Sequence, residues 1–178
     1  NYYAGGDIKL AISALENAIS LDSSENQALY YFKLAQSYEV QKEYVQASIA
    51  YEKTVAKNPE NKKAWLAIVN LNILEISNPL KAVEASLKAS EIFPKEVEVL
   101  NALGWAYLEN KQYAEAIAIL QKAEELDPEF FLIYFNLGRI YKAQGKPAEA
   151  TEMFTKVLNL DFSGNIARKA QEEMKSLS

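Results

Sequence analysis

The stretch GRIYKAQGK, residues 138–146, sets two glycines ahead of a lysine, the residue types with which a loop can cradle phosphate. The interval from Gly138 to Gly145 is too long for such a loop, neither Ser nor Thr follows Lys146, and no strand pattern precedes it. An interhelical turn accounts for it. Two carboxylate pairs, Glu124/Glu125 and Glu172/Glu173, suggest acid–base work, but neighbours on a helix diverge by about 100° and cannot meet on one substrate atom. Solvated helix faces account for these. The sequence has 0 His and 0 Cys, which removes the usual zinc ligands, thiolate nucleophiles and disulfides, together with the commonest acid–base side chain. No catalytic residue, metal or cofactor is assigned, and the chain is not expected to be an enzyme.

Charge and hydropathy narrow the partners. A net charge of −5 lacks the basic footprint that supplies nucleic-acid affinity, so nucleic acid is not expected. No apolar run approaches the roughly 18 residues of a membrane span, so direct membrane insertion is not expected either. Apolar residues make up 49% of the 178, enough for a continuous core. The chain opens at Asn1 rather than at a methionine, so the native start is not in view and the compartment stays open.

The elements that could position a site come from an internal repeat. Leu34, Ile68, Leu103 and Leu137 align, followed by Ala35, Val69, Gly104 and Gly138, and then Tyr38, Asn72, Tyr107 and Tyr141. Ala47, Ala82, Ala116 and Ala150 form another column, as do Tyr51, Ser86, Leu120 and Phe154, and then Pro59, Pro94, Pro128 and Phe162. The period is 34 residues, lengthened to 35 where SNPL extends one unit. Apolar residues at three- and four-residue spacing make each unit two amphipathic helices. Small residues at Gly104, Gly138 and the alanine column let helices approach closely. Gly145 suits a left-handed cap and Pro147 a first helical turn, while each helix before Pro59, Pro94 and Pro128 must stop. Of 11 tyrosines, the repeat columns take Tyr31, Tyr38, Tyr107 and Tyr141, with Tyr51 and Tyr134 adding two more, so no aromatic cage is needed.

These columns resemble the tetratricopeptide repeat family, with YFNLGRIYKAQGKPAEATEMFTKVL and LNALGWAYLENKQYAEAIAILQKAEELDP the closest stretches. The unit containing Trp65 departs most: Val69 replaces the small residue, Asn72 the tyrosine and Ser86 the aromatic. The resemblance implies an all-α fold, a right-handed α-solenoid of antiparallel helix pairs. The expected units are a partial repeat at 1–22, repeats at 28–61, 62–96, 97–130 and 131–162, and a capping helix at 164–178. In the capping helix Ile166, Ala170, Met174 and Leu177 form one stripe, with Arg168, Lys169, Glu172 and Lys175 elsewhere.

The resemblance also implies that first helices line a concave groove. Its expected partner-binding residues are Leu29, Phe32 and Gln36 in the first full repeat, and Leu66, Asn70 and Ile73 in the second. Asn101, Trp105 and Leu108 follow in the third, and Phe135, Arg139 and Lys142 in the fourth. Trp105 shares a column with Gln36, Asn70 and Arg139, so packing does not demand an aromatic there; an anchor for a bound segment and packing on a neighbouring helix are both open. For Phe32 and Phe135 a packing role is the expectation. Family members that clamp the acidic tails of heat-shock chaperones use Lys, Asn and Arg at positions occupied here by Phe32, Gln36, Ala67, Glu98 and Ala102, or by Leu66, Asn70, Ala102, Leu132 and Asn136. Neither window carries the cations. An asparagine ladder also fails, since its column reads Lys33, Ala67, Ala102 and Asn136.

The expected function is a non-catalytic scaffold that binds a peptide or partner helix in this groove. The alternative is an accessory, regulatory or oligomerisation region of a larger enzyme or envelope assembly protein. The second-helix pattern at the N-terminus, with Tyr2 where a first helix would finish, suggests a fragment of a longer protein. Ile8, Ile12, Leu15 and Ile19 are expected to expose apolar surface there and to favour self-association.

Overall fold

The computed structural model describes residues 8–22, 26–161 and 164–177. Tyr2 and Phe162, read above as parts of repeat columns, lie outside the described residues. Among those described there are ten helices and no strand: α1 (Ile8–Leu21), α2 (Gln27–Val40), α3 (Tyr44–Lys57), α4 (Lys62–Leu74), α5 (Pro79–Ile92), α6 (Val97–Glu109), α7 (Tyr113–Leu126), α8 (Leu132–Ala143), α9 (Pro147–Leu160) and α10 (Asn165–Lys175). None is long and apolar enough to cross a membrane. The chain forms two compact units, one ending at Ile92 and the other beginning at Phe93.

Local chemistry sets the helix limits. Asn58 and Asp127 precede prolines and leave helical geometry, with ψ of 87° and 94°. Each side chain then accepts a bond from the backbone two residues on, Glu60 N–H at 3.1 Å and Glu129 N–H at 3.0 Å. Asn61 caps α4 by accepting from Ala64 N–H at 3.1 Å. The turns between paired helices use a left-handed residue: Lys42, Ser77, Lys111 and Gly145 have φ of 60°, 57°, 61° and 71°. Only the last is a glycine.

In the first unit α2 packs on α3 and α4 on α5, with α1 against α2. The alanines of the repeat column, Ala47 and Ala82, are fully buried. Trp65 closes the turn below it by donating from Nε1 to the Pro59 carbonyl at 2.9 Å. The departures at Val69 and Ser86 offset one another in size, while Asn72 finds its partners elsewhere. Val69 and Ser86 are both 1% exposed and occupy the positions that Gly104 and Leu120 take one repeat later, so a larger first-helix residue matches a smaller second-helix one. Asn72, fully buried, donates from Nδ2 to Ser48 Oγ at 3.0 Å and to the Ile68 carbonyl at 2.8 Å, replacing a tyrosine's bulk by hydrogen bonds.

On α1, which packs against α2, Ile8, Ile12, Leu15 and Ile19 are half-buried rather than open. The strongly exposed apolar residues of that helix are Leu10 and Leu21.

The second unit is centred on Leu100, Leu120, Ile133, Leu137, Ile140, Phe154 and Val157. Close approach at the glycine column is direct: a Cβ on Gly104 would lie 2.5 Å from Leu120 Cγ, and one on Gly138 would lie 2.5 Å from Phe154 Cε1. Tyr134, one turn into α8, donates to the Pro128 carbonyl at 2.8 Å, as Trp65 does to Pro59. On α10, Ala170 is fully buried and Ile166 and Met174 pack against the same core, as does Leu177 just past the helix end. Arg168, Lys169, Glu172 and Lys175 stay exposed, so α10 covers the core with one apolar face and shows solvent a charged one.

Candidate functional site

The first helices of each unit present the faces on which the sequence placed a groove. In the first unit Leu29 is half exposed, Gln36 and Asn70 are exposed, and Leu66 and Ile73 are half-buried. Phe32 packs edge-on against the buried Tyr51 ring, with centroids 5.4 Å apart, a structural role. Leu66 and Asn70 line an open cleft of about 360 Å³ together with Glu39, Lys63 and Leu74.

A second cleft, of about 240 Å³, lies on another side of α2, walled by Ile19, Leu34 and Ile49 and edged by Glu16, Tyr31, Tyr38 and Lys53. Tyr38 donates to Glu16 Oε1 at 3.0 Å, and the Lys53 ammonium sits 5.3 Å from the centre of the Tyr31 ring. Burial, followed by the Glu16 carboxylate, pushes the Tyr38 phenol up. Sequence reasoning missed this cleft; its one signal is the seven-residue spacing that puts Tyr31 and Tyr38 on one face of α2.

In the second unit the expected face is only partly open. Leu108 is 7% exposed and belongs to the core, a correction that follows from α8 packing over the side of α6 that carries it. Asn101 is buried too, accepting at Oδ1 from Asn136 Nδ2 at 3.0 Å. Phe135 packs against the fully buried Phe154, with ring centroids 6.0 Å apart. Trp105 is half-buried, its inner edge against the core and its indole N–H donated to Glu109 Oε1 at 2.9 Å. The same oxygen receives Arg139 Nη1 at 2.8 Å. Lys142 reaches α10, where Nζ contacts Glu173 Oε2 and Ser176 Oγ, each at 2.6 Å. Arg139 and Lys142, both expected to face a partner, are therefore already paired with carboxylates of their own unit.

The paired glutamates divide as helix geometry requires. Glu124 faces Lys156 at 3.8 Å and Glu173 faces Lys142, while Glu125 and Glu172 point to solvent.

Helix pairs with small residues at their crossings, and apolar first-helix faces rimmed by charge, define a repeat module of the protein-interaction class. Family comparison places it: tetratricopeptide repeat profiles match residues 1–62, 85–118 and 132–163, and a TPR repeat profile matches residues 104–145. The chain belongs to the tetratricopeptide repeat family, whose fold and members are interaction modules and generally not catalysts.

A type IV pilus assembly protein, PilF of Pseudomonas aeruginosa, is 30% identical over 149 residues, covering 82% of this chain and 59% of its own length. The small glutamine-rich tetratricopeptide repeat-containing protein 2 of Saccharomyces cerevisiae is 32% identical over 91 residues, 51% of this chain and 26% of that one. The chain thus spans less than two thirds of the length of each of these relatives. Among solved structures, YrrB, described as a TPR protein with an unusual peptide-binding site, superposes with a TM-score of 0.73 at 21% identity, covering 93% of this chain and 84% of that one. At that identity the likeness shows the fold, an all-helical solenoid of the family.

Proposed function

We propose that this chain is a non-catalytic protein-interaction scaffold whose first-helix faces hold a peptide segment or a helix of a partner protein. The observation that carries the reading is Trp105. Its column is otherwise polar, its indole is fixed from one edge by Glu109, and the rest of the side chain stays partly exposed beside Arg139, which binds the same carboxylate. A large, pre-oriented aromatic is the side chain most often responsible for binding energy at interfaces. In the first unit Leu29, Leu74 and Val40 add exposed apolar surface on the first helices.

The test is capture of partners from lysate by the wild-type chain and by Trp105→Gln, which installs the side chain found at Gln36, with circular dichroism melts of both to separate loss of the face from loss of the packing that Trp105 makes on the core. Phe135 is unsuitable for truncation because it supports Phe154. A partner held by the wild type and lost from the variant supports the scaffold reading; equal retention refutes a role for this face. The pilus-assembly relative favours a second reading, an envelope-assembly accessory that works by packing against other parts of its own machine. Equal retention in that assay, together with self-association through the α1 end in sedimentation analysis, would favour it.

A further inference from the structure

The cleft of about 360 Å³ in the first unit is walled mainly by one face of α4, where Lys63, Leu66, Asn70 and Leu74 recur at three- and four-residue spacing. Glu75 follows just past the helix end, and α2 contributes Glu39. Leu74 is 64% exposed, and the buried Tyr51 and Leu71 back the cleft. The charges on this wall run against the helices that carry them, since a helix favours anions at its N-terminus and cations at its C-terminus. Lys63 stands in the first turn of α4, which holds no acid, and Glu75 is its C-cap; Glu39 stands in the last turn of α2, and neither last turn holds a base. Among the described residues, the side chains of Glu39, Lys63 and Glu75 make no hydrogen bond or ion pair. They weaken their helices and recover nothing within the fold, and a ligand that met them would displace no protein group. The two signs are also separated: from Lys63 to Glu75 the helix rises about 18 Å, at about 1.5 Å per residue, with Leu66, Asn70 and Leu74 between.

We infer, resting on the scaffold reading above, that this cleft takes a dipolar segment of a partner protein: a Lys or Arg that reaches Glu39 and Glu75, an apolar side chain laid on Leu66 and Leu74, and an Asp or Glu that reaches Lys63. A uniformly acidic segment meets two unpaired carboxylates, and a uniformly basic one meets Lys63. The cleft therefore reads the order of charges along a segment rather than their sum.

The experiment measures binding of short fluorescein-labelled peptides with an identical Leu and Phe centre to the wild type, the double variant Glu39→Gln/Glu75→Gln, Lys63→Gln and Leu74→Gln. One peptide has serine on both flanks; two have glutamate on one flank and lysine on the other, in the two possible orders. All three have the same net flank charge, so the overall charge of −5 does not discriminate among them. The wild type should bind the better of the two dipolar peptides about tenfold more tightly than the serine peptide, with the ratio shrinking as salt screens the charges. That ratio should fall to about one in the double variant and partway in Lys63→Gln, and Leu74→Gln should weaken all three peptides. Circular dichroism melts supply a readout that a structural role would not give: the double variant should melt about 1–4 °C higher than the wild type while binding more weakly. An unchanged ratio in the double variant, or a lower melting temperature for it, overturns the role of the two carboxylates. Binding that is indifferent to Leu74→Gln, or absent for every peptide, overturns the use of this cleft. The scaffold reading is decided separately, by capture with Trp105→Gln.

Discussion

Replacing Gly138 by alanine tests the packing at its tightest point. The added Cβ would stand 2.5, 2.7 and 2.9 Å from three carbons of the Phe154 ring, where carbon pairs prefer about 3.5–4.0 Å. The ring has little room to move: it is fully buried and packs against Phe135, with ring centroids 6.0 Å apart. Overpacking of this kind costs about 1–3 kcal/mol. Removing a glycine from a helix interior returns about 0.5–1 kcal/mol. The net expectation is destabilisation by about 1–2 kcal/mol, or a melting temperature lower by about 2–8 °C for a chain of this size. Urea and thermal unfolding followed by far-ultraviolet circular dichroism give the number. A double-mutant cycle isolates the cause: in a Phe154→Ala background the clash is gone, and Gly138→Ala should stabilise by about 0.5–1 kcal/mol. A wild-type background in which Gly138→Ala is neutral or stabilising would refute the reasoning, since it would mean that α8 and α9 can separate at no cost.

The turn residues give a second expectation. Lys111 holds φ of 61° where the next repeat has Gly145, so Lys111→Gly should raise stability by about 0.5–1 kcal/mol in urea unfolding, while Gly145→Ala, at φ of 71°, should lower it by about 1 kcal/mol. Tyr134 gives a pH dependence. Burial, followed by Glu124 and Asp127, pushes its phenol up to about 12. The neutral form is therefore favoured by folding, and its contribution is fully present below the ordinary phenol value of about 10 and lost as pH rises through about 12. Urea midpoints measured across that window should fall with pH, and Tyr134→Phe should flatten part of the slope.

The alanine column was legible in the sequence because a period is a linear property: Ala47, Ala82, Ala116 and Ala150 are each fully buried, as crossing points require. So was the apolar stripe of α10 at Ile166, Ala170 and Met174, which meets the core. The expected packing role of Phe32 and Phe135 is equally visible in their contacts with Tyr51 and Phe154. What the sequence hid depends on rotations about helix axes and on side chains far apart in the chain. The pairing of Arg139 with Glu109 and of Lys142 with Glu173 joins different helices, so a residue-by-residue reading counted the cations as available. The repeat column of Leu108 places it on the groove; the other members Glu39, Ile73 and Lys142 are only half-buried, whereas Leu108 joins the core. Asn72 looked like a defect until Ser48, from the preceding helix, appeared as its partner.

The matched sizes at Val69 with Ser86 and at Gly104 with Leu120 carry a consequence for recombination. A crossover inside a repeat that joined α4 to α7 would set valine against Leu120, and one that joined α6 to α5 would leave glycine facing serine across a void. Crossovers in the turns between repeats keep each pair together. The smallest portion of this chain that can be inherited or transplanted intact is therefore the helix hairpin with its own complementary seam, and libraries of shuffled repeats should be cut at the proline turns.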